Sequence, residues 1–283
     1  MKKLLFLFLV LNLNSYSQTA EEYYNRGLSK YKLEDYKGAI ADFTKSISID
    51  PESATAYGNR GIAKYTLEDF TGAIADYTKA IALNPEYGEA YYNRGLAKCY
   101  LKEGILNDYS EAFADFNKAI ALNPEFAEAY YFRGVSKNHL QDYTGAIADY
   151  TKAIELNPEF AEAYNNRGQS KGNLQDCTTF GVFRIYFIVE AFADFNKAIA
   201  LNPEFAEAYY NRGSSKYDFQ DYTGAIADFT KAIELDPEDY DAYINRGLSK
   251  YYLKDYKEAC EDWGKAGELG NAKALNLIKL FCE

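Results

Sequence analysis

The 283-residue chain carries one histidine, His139, and four cysteines, Cys99, Cys177, Cys260 and Cys282. Nucleophilic or acid–base catalysis needs a nucleophile, a base and a group that orients the base, all within hydrogen-bond reach. No such trio can be assembled around a single imidazole, and no Cys/His cluster has the spacing of zinc ligands. Asp and Glu number 42, but they recur at equivalent places along the chain, so none is marked out for a tuned pKa. The residues therefore predict no catalytic centre, no cofactor and no metal. His139 is expected on an exposed helix surface.

What does recur is an Arg-Gly pair, with glycines at 27, 61, 95, 134, 168, 213 and 247 spaced by 34, 34, 39, 34, 45 and 34 residues. A period of this size fixes architecture before any local propensity does. Counting positions from Ala20, position 4 is Tyr in all seven copies (Tyr23, Tyr57, Tyr91, Tyr130, Tyr164, Tyr209, Tyr243). Position 20 is Ala, and position 24 is aromatic: Phe43, Tyr77, Phe116, Tyr150, Phe195, Phe229 and Trp263. All six prolines fall at position 32, from Pro51 to Pro237.

Apolar spacing within a copy is helical on both sides of a break near position 16, so each copy reads as two helices. Asp35, Asp69, Asp108, Asp142, Asp176, Asp221 and Asp255 stand where an N-cap would start the second helix. Glu111 and Glu258 lie three residues after Asp108 and Asp255, a capping-box spacing. Arg at position 7 and Asp at position 23 occur together in every copy, from Arg26/Asp42 to Arg246/Asp262. An antiparallel pair sets them side by side, either as a ladder that fixes helix register or as arginines offered to a partner's carboxylates or phosphates. Lys at positions 11 and 26 reads as solvated or locally paired. Lys98, Lys171 and Lys250 each have a Glu at position 19 of their own copy within reach.

This pattern resembles the tetratricopeptide repeat, with Tyr for its usual Trp at position 4, over residues 20 to about 270. Departures are Arg for Leu at position 7, Lys for Tyr at position 11, and two insertions. The resemblance implies an all-α fold, a right-handed superhelical solenoid of antiparallel helix pairs. It divides the chain into repeats at 20–53, 54–87, 88–126, 127–160, 161–205, 206–239 and 240–271, within a body 18–271, and a capping helix at 272–283.

In such arrays the first helices line the concave face, with positions 2, 5, 6, 9, 12 and 13 in the groove. Position 6 here is Asn25, Asn59, Asn93, Asn166, Asn211 and Asn245, broken by Phe132. Position 5 includes Tyr24, Tyr92, Tyr131 and Tyr210, and position 2 is mostly acidic. An Asn ladder offers a donor and an acceptor to each peptide unit of an extended segment, and Tyr adds contact area with a polar tip. The alternative is that these asparagines only bond neighbouring helices. A carboxylate clamp needs Lys or Arg at position 9, where this chain has Leu28, Ile62, Leu96, Val135, Gln169, Ser214 and Leu248.

Residues 1–17 read as an export signal: Lys2 and Lys3, an apolar core Leu4–Leu13, and Ser15 and Ser17 before a cleavage point at Gln18. The core is too short to span a bilayer. The first cysteine, Cys99, is far from the cleavage point, so no lipid anchor is expected. The mature chain belongs outside the cytoplasm, periplasmic or secreted, with no stable membrane span. Loss of Lys2 and Lys3 takes the formal charge from −11 to −13, which opposes nucleic-acid binding.

The first insertion adds five residues around 101–109 and the second adds eleven, giving Cys177–Glu190. Its apolar run Phe180–Val189 is either a self-association or partner patch or a mere extension of the second helix. Residues 111–131 and 190–210 are identical, so a two-repeat block was copied within the chain. Cys260 and Cys282 flank the turn at Gly270 on antiparallel helices and are expected to form a disulfide in an oxidising compartment. Cys99 and Cys177 are expected as buried thiols. The functional expectation is a non-enzymatic scaffold for a protein or peptide partner, with a spacer or self-associating array as the alternative.

Overall fold

The structure, a computed structural model, describes residues 18–101, 109–176 and 181–282, with backbone alone at 175–176 and 181–188. Residues 1–17, Cys177 and most of the first insertion lie outside that range. Regular structure among the described residues is helical throughout, in fifteen helices. No described helix is long and apolar enough to cross a membrane.

The chain falls into two compact units, residues 1–124 and 125–283. The first holds α1 (Ala20–Lys32), α2 (Tyr36–Ile49), α3 (Ala54–Thr66), α4 (Phe70–Leu83), α5 (Gly88–Tyr100) and α6 (Tyr109–Leu122). The second holds α7 (Ala127–His139), α8 (Tyr143–Leu156), α9 (Ala161–Asp176), α10 (Gly181–Leu201) and α11 (Ala206–Asp218). It continues with α12 (Tyr222–Leu235), α13 (Tyr240–Tyr252), α14 (Tyr256–Glu268) and α15 (Ala272–Phe281).

Within each unit consecutive helices pack as pairs, and each pair packs on the next. Neighbouring first helices also touch, as α1 does α3 and α11 does α13, whereas the described second helices do not approach one another comparably. Each unit therefore bends towards its first-helix side. The close approach inside a pair depends on position 8. A methyl group on Gly27, Gly61, Gly95, Gly134, Gly168, Gly213 or Gly247 would come within 2.5–2.9 Å of the aromatic side chain at position 24. Those rings are fully or almost fully buried, so they have nowhere to retreat.

Second helices start where the aspartates predict in four pairs. Asp35, Asp69, Asp142 and Asp221 each accept the backbone N–H of the glycine three residues on, at 2.9 Å. Asp255 departs from expectation, making no side-chain cap bond. The Glu258 carboxylate that would complete a capping box there is held instead by Lys250 at 3.3 Å. Asp176 is not an N-cap either, because it is the last residue of α9. The described part of the second insertion, from Gly181, is helix: α9 and α10 have 16 and 21 residues where α1 and α2 have 13 and 14. Asp108 lies outside the described residues. A capping box that the sequence reading passed over opens α1, where Thr19 and Glu22 bond each other's backbone N–H at 3.1 and 2.9 Å.

The turn inside a pair is made by a left-handed residue at position 15. Glu34, Glu68, Gln141, Gln220 and Lys254 have φ between 60° and 70°. None is a glycine, so each turn carries the cost of an L-residue in that region.

The final helix α15 packs on α14, and Cys260 and Cys282 are joined by a disulfide with Cα atoms 5.9 Å apart. Phe281 reaches the rings of Tyr251 at 4.8 Å and Trp263 at 5.9 Å, and the Trp263 indole N–H donates to the Ile244 carbonyl. Cys99 is half-buried and outside the disulfide.

Candidate functional site

The recurring charges form one device repeated in every pair. In the α3/α4 pair, the Arg60 guanidinium grips Asp76 with two N–H groups at 2.8 and 2.6 Å, a bidentate geometry. Lys64, one helical turn on, closes on the other carboxylate oxygen at 2.7 Å. The same three-membered clamp joins Arg94 and Lys98 to Asp115, Arg133 and Lys137 to Asp149, and Arg167 and Lys171 to Asp194. It recurs at Asp42, Asp228 and Asp262. Of the two readings of Lys at position 11, solvated or locally paired, the second holds, with the position-23 aspartate as the partner. Lys98, Lys171 and Lys250 also reach Glu111, Glu190 and Glu258.

A third arginine nitrogen points backwards along the stack. Arg60 reaches Thr44 at 3.1 Å, Arg94 reaches Thr78 at 3.2 Å, Arg167 reaches Thr151, Arg212 reaches Asn196 and Arg246 reaches Thr230. Each acceptor sits at position 25 of the preceding pair. The last pair has Gly264 there, with open space around it. Each guanidinium also lies over the position-4 tyrosine of its own helix, 4.8–5.6 Å from the ring centroid. With these nitrogens engaged, the arginines hold register within and between pairs. In the first clamp, the Arg26 hydrogen bond outweighs burial and holds the Asp42 carboxyl at about 2, below its ordinary range.

The first-helix face carries the other recurring set. The Asn59 amide donates to the Tyr24 hydroxyl at 2.9 Å, Asn166 to Tyr131 at 2.9 Å, and Asn245 to Tyr210 at 3.0 Å. Tyrosine at position 5 and asparagine at position 6 of the next helix are therefore partners. Asn211 faces Asn165 where a tyrosine would be, and donates to its carbonyl oxygen at 3.1 Å. Asn93 follows Gly58, so no tyrosine hydroxyl meets it from the preceding helix. Asn25 is exposed at the start of the first unit, and Tyr92 is half-buried in α5.

The bond between neighbouring helices is real, and it does not exhaust the pair. A phenol that accepts from an amide keeps its own O–H to donate, and the asparagine Oδ1 remains an acceptor. Burial raises the pKa of Tyr210, which keeps that proton in place. The Tyr24–Asn59 and Tyr210–Asn245 pairs can thus each present one donor and one acceptor, the complement of a peptide unit, while in the third pair the Asn166 Oδ1 accepts from the Asn165 amide at 3.3 Å. Glu21, Glu89, Glu128, Glu162, Glu207 and Asp241 stand exposed in the first turns beside them. His139 is exposed at the end of α7, and no group of His, Cys, Asp and Glu among the described residues is arranged to hold a metal ion.

A family model described as TPR repeat matches residues 63–99 and 138–175, and one described as tetratricopeptide repeat matches 20–53 and 206–239. The fold is similar to that of a tetratricopeptide repeat protein from Parabacteroides merdae ATCC 43184. That likeness spans 93% of this chain and 99% of the other, with a TM-score of 0.67 and 22% identity. The chain is also similar to YrrB, a TPR protein with an unusual peptide-binding site, at 28% identity and a TM-score of 0.55 over 71% of this chain and 95% of that one. MamA is similar at 26% identity and a TM-score of 0.55, covering 66% of this chain and 94% of its own. No curated protein matches the chain.

Proposed function

Taking as premise that the chain belongs to the tetratricopeptide repeat family, we propose that it is an exported, non-enzymatic scaffold holding an extended protein segment on its first-helix face. The family's architecture is typical of protein–protein interaction. The observation that carries the finer reading is the Tyr–Asn pair, built three times with the same bond at 2.9–3.0 Å. A feature that recurs at one place per helix suits a ligand that itself repeats, and a polypeptide backbone is such a ligand. The acidic first turns favour neutral or basic segments. YrrB, whose description names a peptide-binding site, lends the reading support. Export is supported by the apolar stretch Leu4–Leu13 and by the Cys260–Cys282 disulfide, a bond that persists in oxidising compartments.

The test removes hydroxyls without removing volume. A Tyr24→Phe, Tyr131→Phe, Tyr210→Phe variant also loses the three asparagine bonds and should melt lower, but held below its melt it should bind degenerate extended peptides at least about tenfold more weakly, since each lost bond to the peptide is worth about 0.5–1.5 kcal/mol. Undiminished binding, read by fluorescence anisotropy, rejects the face as the site. Residues 1–17 fused to a phosphatase active only outside the cytoplasm should yield activity, and silence of that fusion rejects export.

A further inference from the structure

Open cavities indent the first-helix face in both units. In the second unit one lies between α9 and α11, where a methyl group added to Gly172 would meet nothing within 4 Å. In the first unit one of about 280 Å³ lies between α1 and α3, its wall including Glu21, Tyr24, Ser46, Asp50, Ser53 and Thr55. For the cavity between α1 and α3, the other hairpins show what normally fills the space.

The residue just before the next first helix, position 34, is aromatic in four copies, Tyr87, Phe126, Phe160 and Phe205, and a capping residue in two, Ser53 and Asp239. In two of the aromatic copies the ring lies against position 5 of the same hairpin. Phe160 meets the Tyr131 ring at 4.7 Å, and Tyr87 lies over Gly58, where an added Cβ would come within 2.9–3.2 Å of it. Tyr24 is the position-5 residue of α1, and the residue due to cover it is Ser53. Tyr131 therefore has two rings against it, Tyr150 at 5.8 Å and Phe160. Tyr24 has Phe43 at 5.8 Å and, where the second ring would be, the cavity.

Ser53 accepts the Ala56 N–H at 3.3 Å and so caps α3, a bond that Tyr87, Phe126 and Phe205 do not make for the helices they precede. The cap explains a polar residue at position 34, and Asp239 has the same explanation. It does not explain a second departure at the same spot. At position 27 the other six copies have alanine, but α2 has Ser46, 2% exposed, whose hydroxyl donates to the Ala20 carbonyl at 2.8 Å. The buried member of the wall is thus fixed by a bond and leaves the space open. A tyrosine ring face on one side and hydroxyls on the other suit an aromatic side chain, which stacks through its face and tolerates polar neighbours at its edge.

We propose that the cavity between α1 and α3 is a subsite for an aromatic side chain of the bound segment, which supplies from outside the ring that Phe160 supplies from within the second unit. The proposal rests on the first-helix face being the binding face, and adds which side chain that face recognises in the first unit.

The experiment uses the disulfide-bonded protein and three fluorescent nonapeptide libraries, degenerate except for a central tyrosine, leucine or alanine. The tyrosine library should bind the wild type about tenfold tighter than the alanine library, with leucine between them. Ser53→Phe fills the cavity with the residue that three other copies carry, and should bring the tyrosine preference below twofold while the alanine library binds as before. Ser53→Ala loses the same cap but leaves the space open, so the preference should survive in it. A preference that survives Ser53→Phe, or one lost equally in Ser53→Ala, overturns the subsite. A leucine library as tight as the tyrosine one overturns it as well. Equal binding of all three libraries by the wild type overturns it while leaving the groove reading intact. Failure of every library to bind overturns the groove reading and the subsite together.

Discussion

The α3/α4 pair and the α9/α10 pair hold themselves together in the same way and offer different faces. Arg60 and Lys64 close on Asp76 at 2.6 and 2.7 Å, and Arg167 and Lys171 close on Asp194 at 2.6 and 2.8 Å. On the first-helix face, however, Ile62 and Tyr65 of α3 pack against Ala73, Tyr77 and Ala97, while Gln169 and Gly172 of α9 border a cavity. The positions that set register are fixed, and the positions that face outward vary. Register and surface chemistry are thus separated residue by residue inside one 34-residue pattern.

The largest expected effect bears on the shared half of that comparison. Asp76→Ala and Asp194→Ala each leave a mostly buried arginine and lysine without their carboxylate, at about 3–5 kcal/mol in urea denaturation. The two losses should agree, and a markedly smaller one at Asp194 would show that the longer helices of the second pair carry their register by other means. Next come the glycines, where the pairs should diverge in sign. Gly61→Ala forces a methyl against the buried Tyr77 ring and should cost about 1–3 kcal/mol, while Gly172→Ala should gain about 0.5–1 kcal/mol. The smallest effect lies at position 15. Glu68 has φ of 60°, so Glu68→Gly should stabilise by up to about 1 kcal/mol. Gln175, its counterpart, lies inside α9, so Gln175→Gly should cost about that much instead. Thermal melts of the two variants shifting in the same direction would contradict the different turn geometries.

Much of the pair was legible because its signals are local and repeated. The tyrosine at position 4, the Gly–aromatic contact and four aspartate caps each follow from spacing along one hairpin. The Arg–Asp contact was legible for the same reason, since equal distances from a turn place residues side by side. Contacts between successive pairs were harder to read. Nothing in the spacing of Arg60 and Thr44 marks them as partners, because stacking geometry, and not the turn, decides which residues of two hairpins meet. The Tyr24–Asn59 bond belongs to this class: that the asparagines bond neighbouring helices was one of two open readings, but the spacing did not name tyrosine as the partner. Asp255 failed as a cap because Glu258 stands where the four capping aspartates meet a glycine, and a Cβ there would lie 2.0–2.2 Å from their carboxylate oxygens. The left-handed turns went unread because no glycine announces them. The cavity between α9 and α11 was present in the sequence as two small and polar departures, Gly172 and Ser214, whose meaning depends on their being neighbours.

The backward reach of Arg60 to Thr44, together with Thr78 awaiting Arg94, gives a 34-residue stretch a plug at one side and a socket at the other. A cassette cut at the same phase can therefore be spliced between two hairpins and arrive with both fittings, lengthening the array by a whole module. The duplicate text at 111–131 and 190–210 records an edit of that kind. A graft placed after Gly264 would find a blank socket, and Gly264→Thr is the single change that would open one.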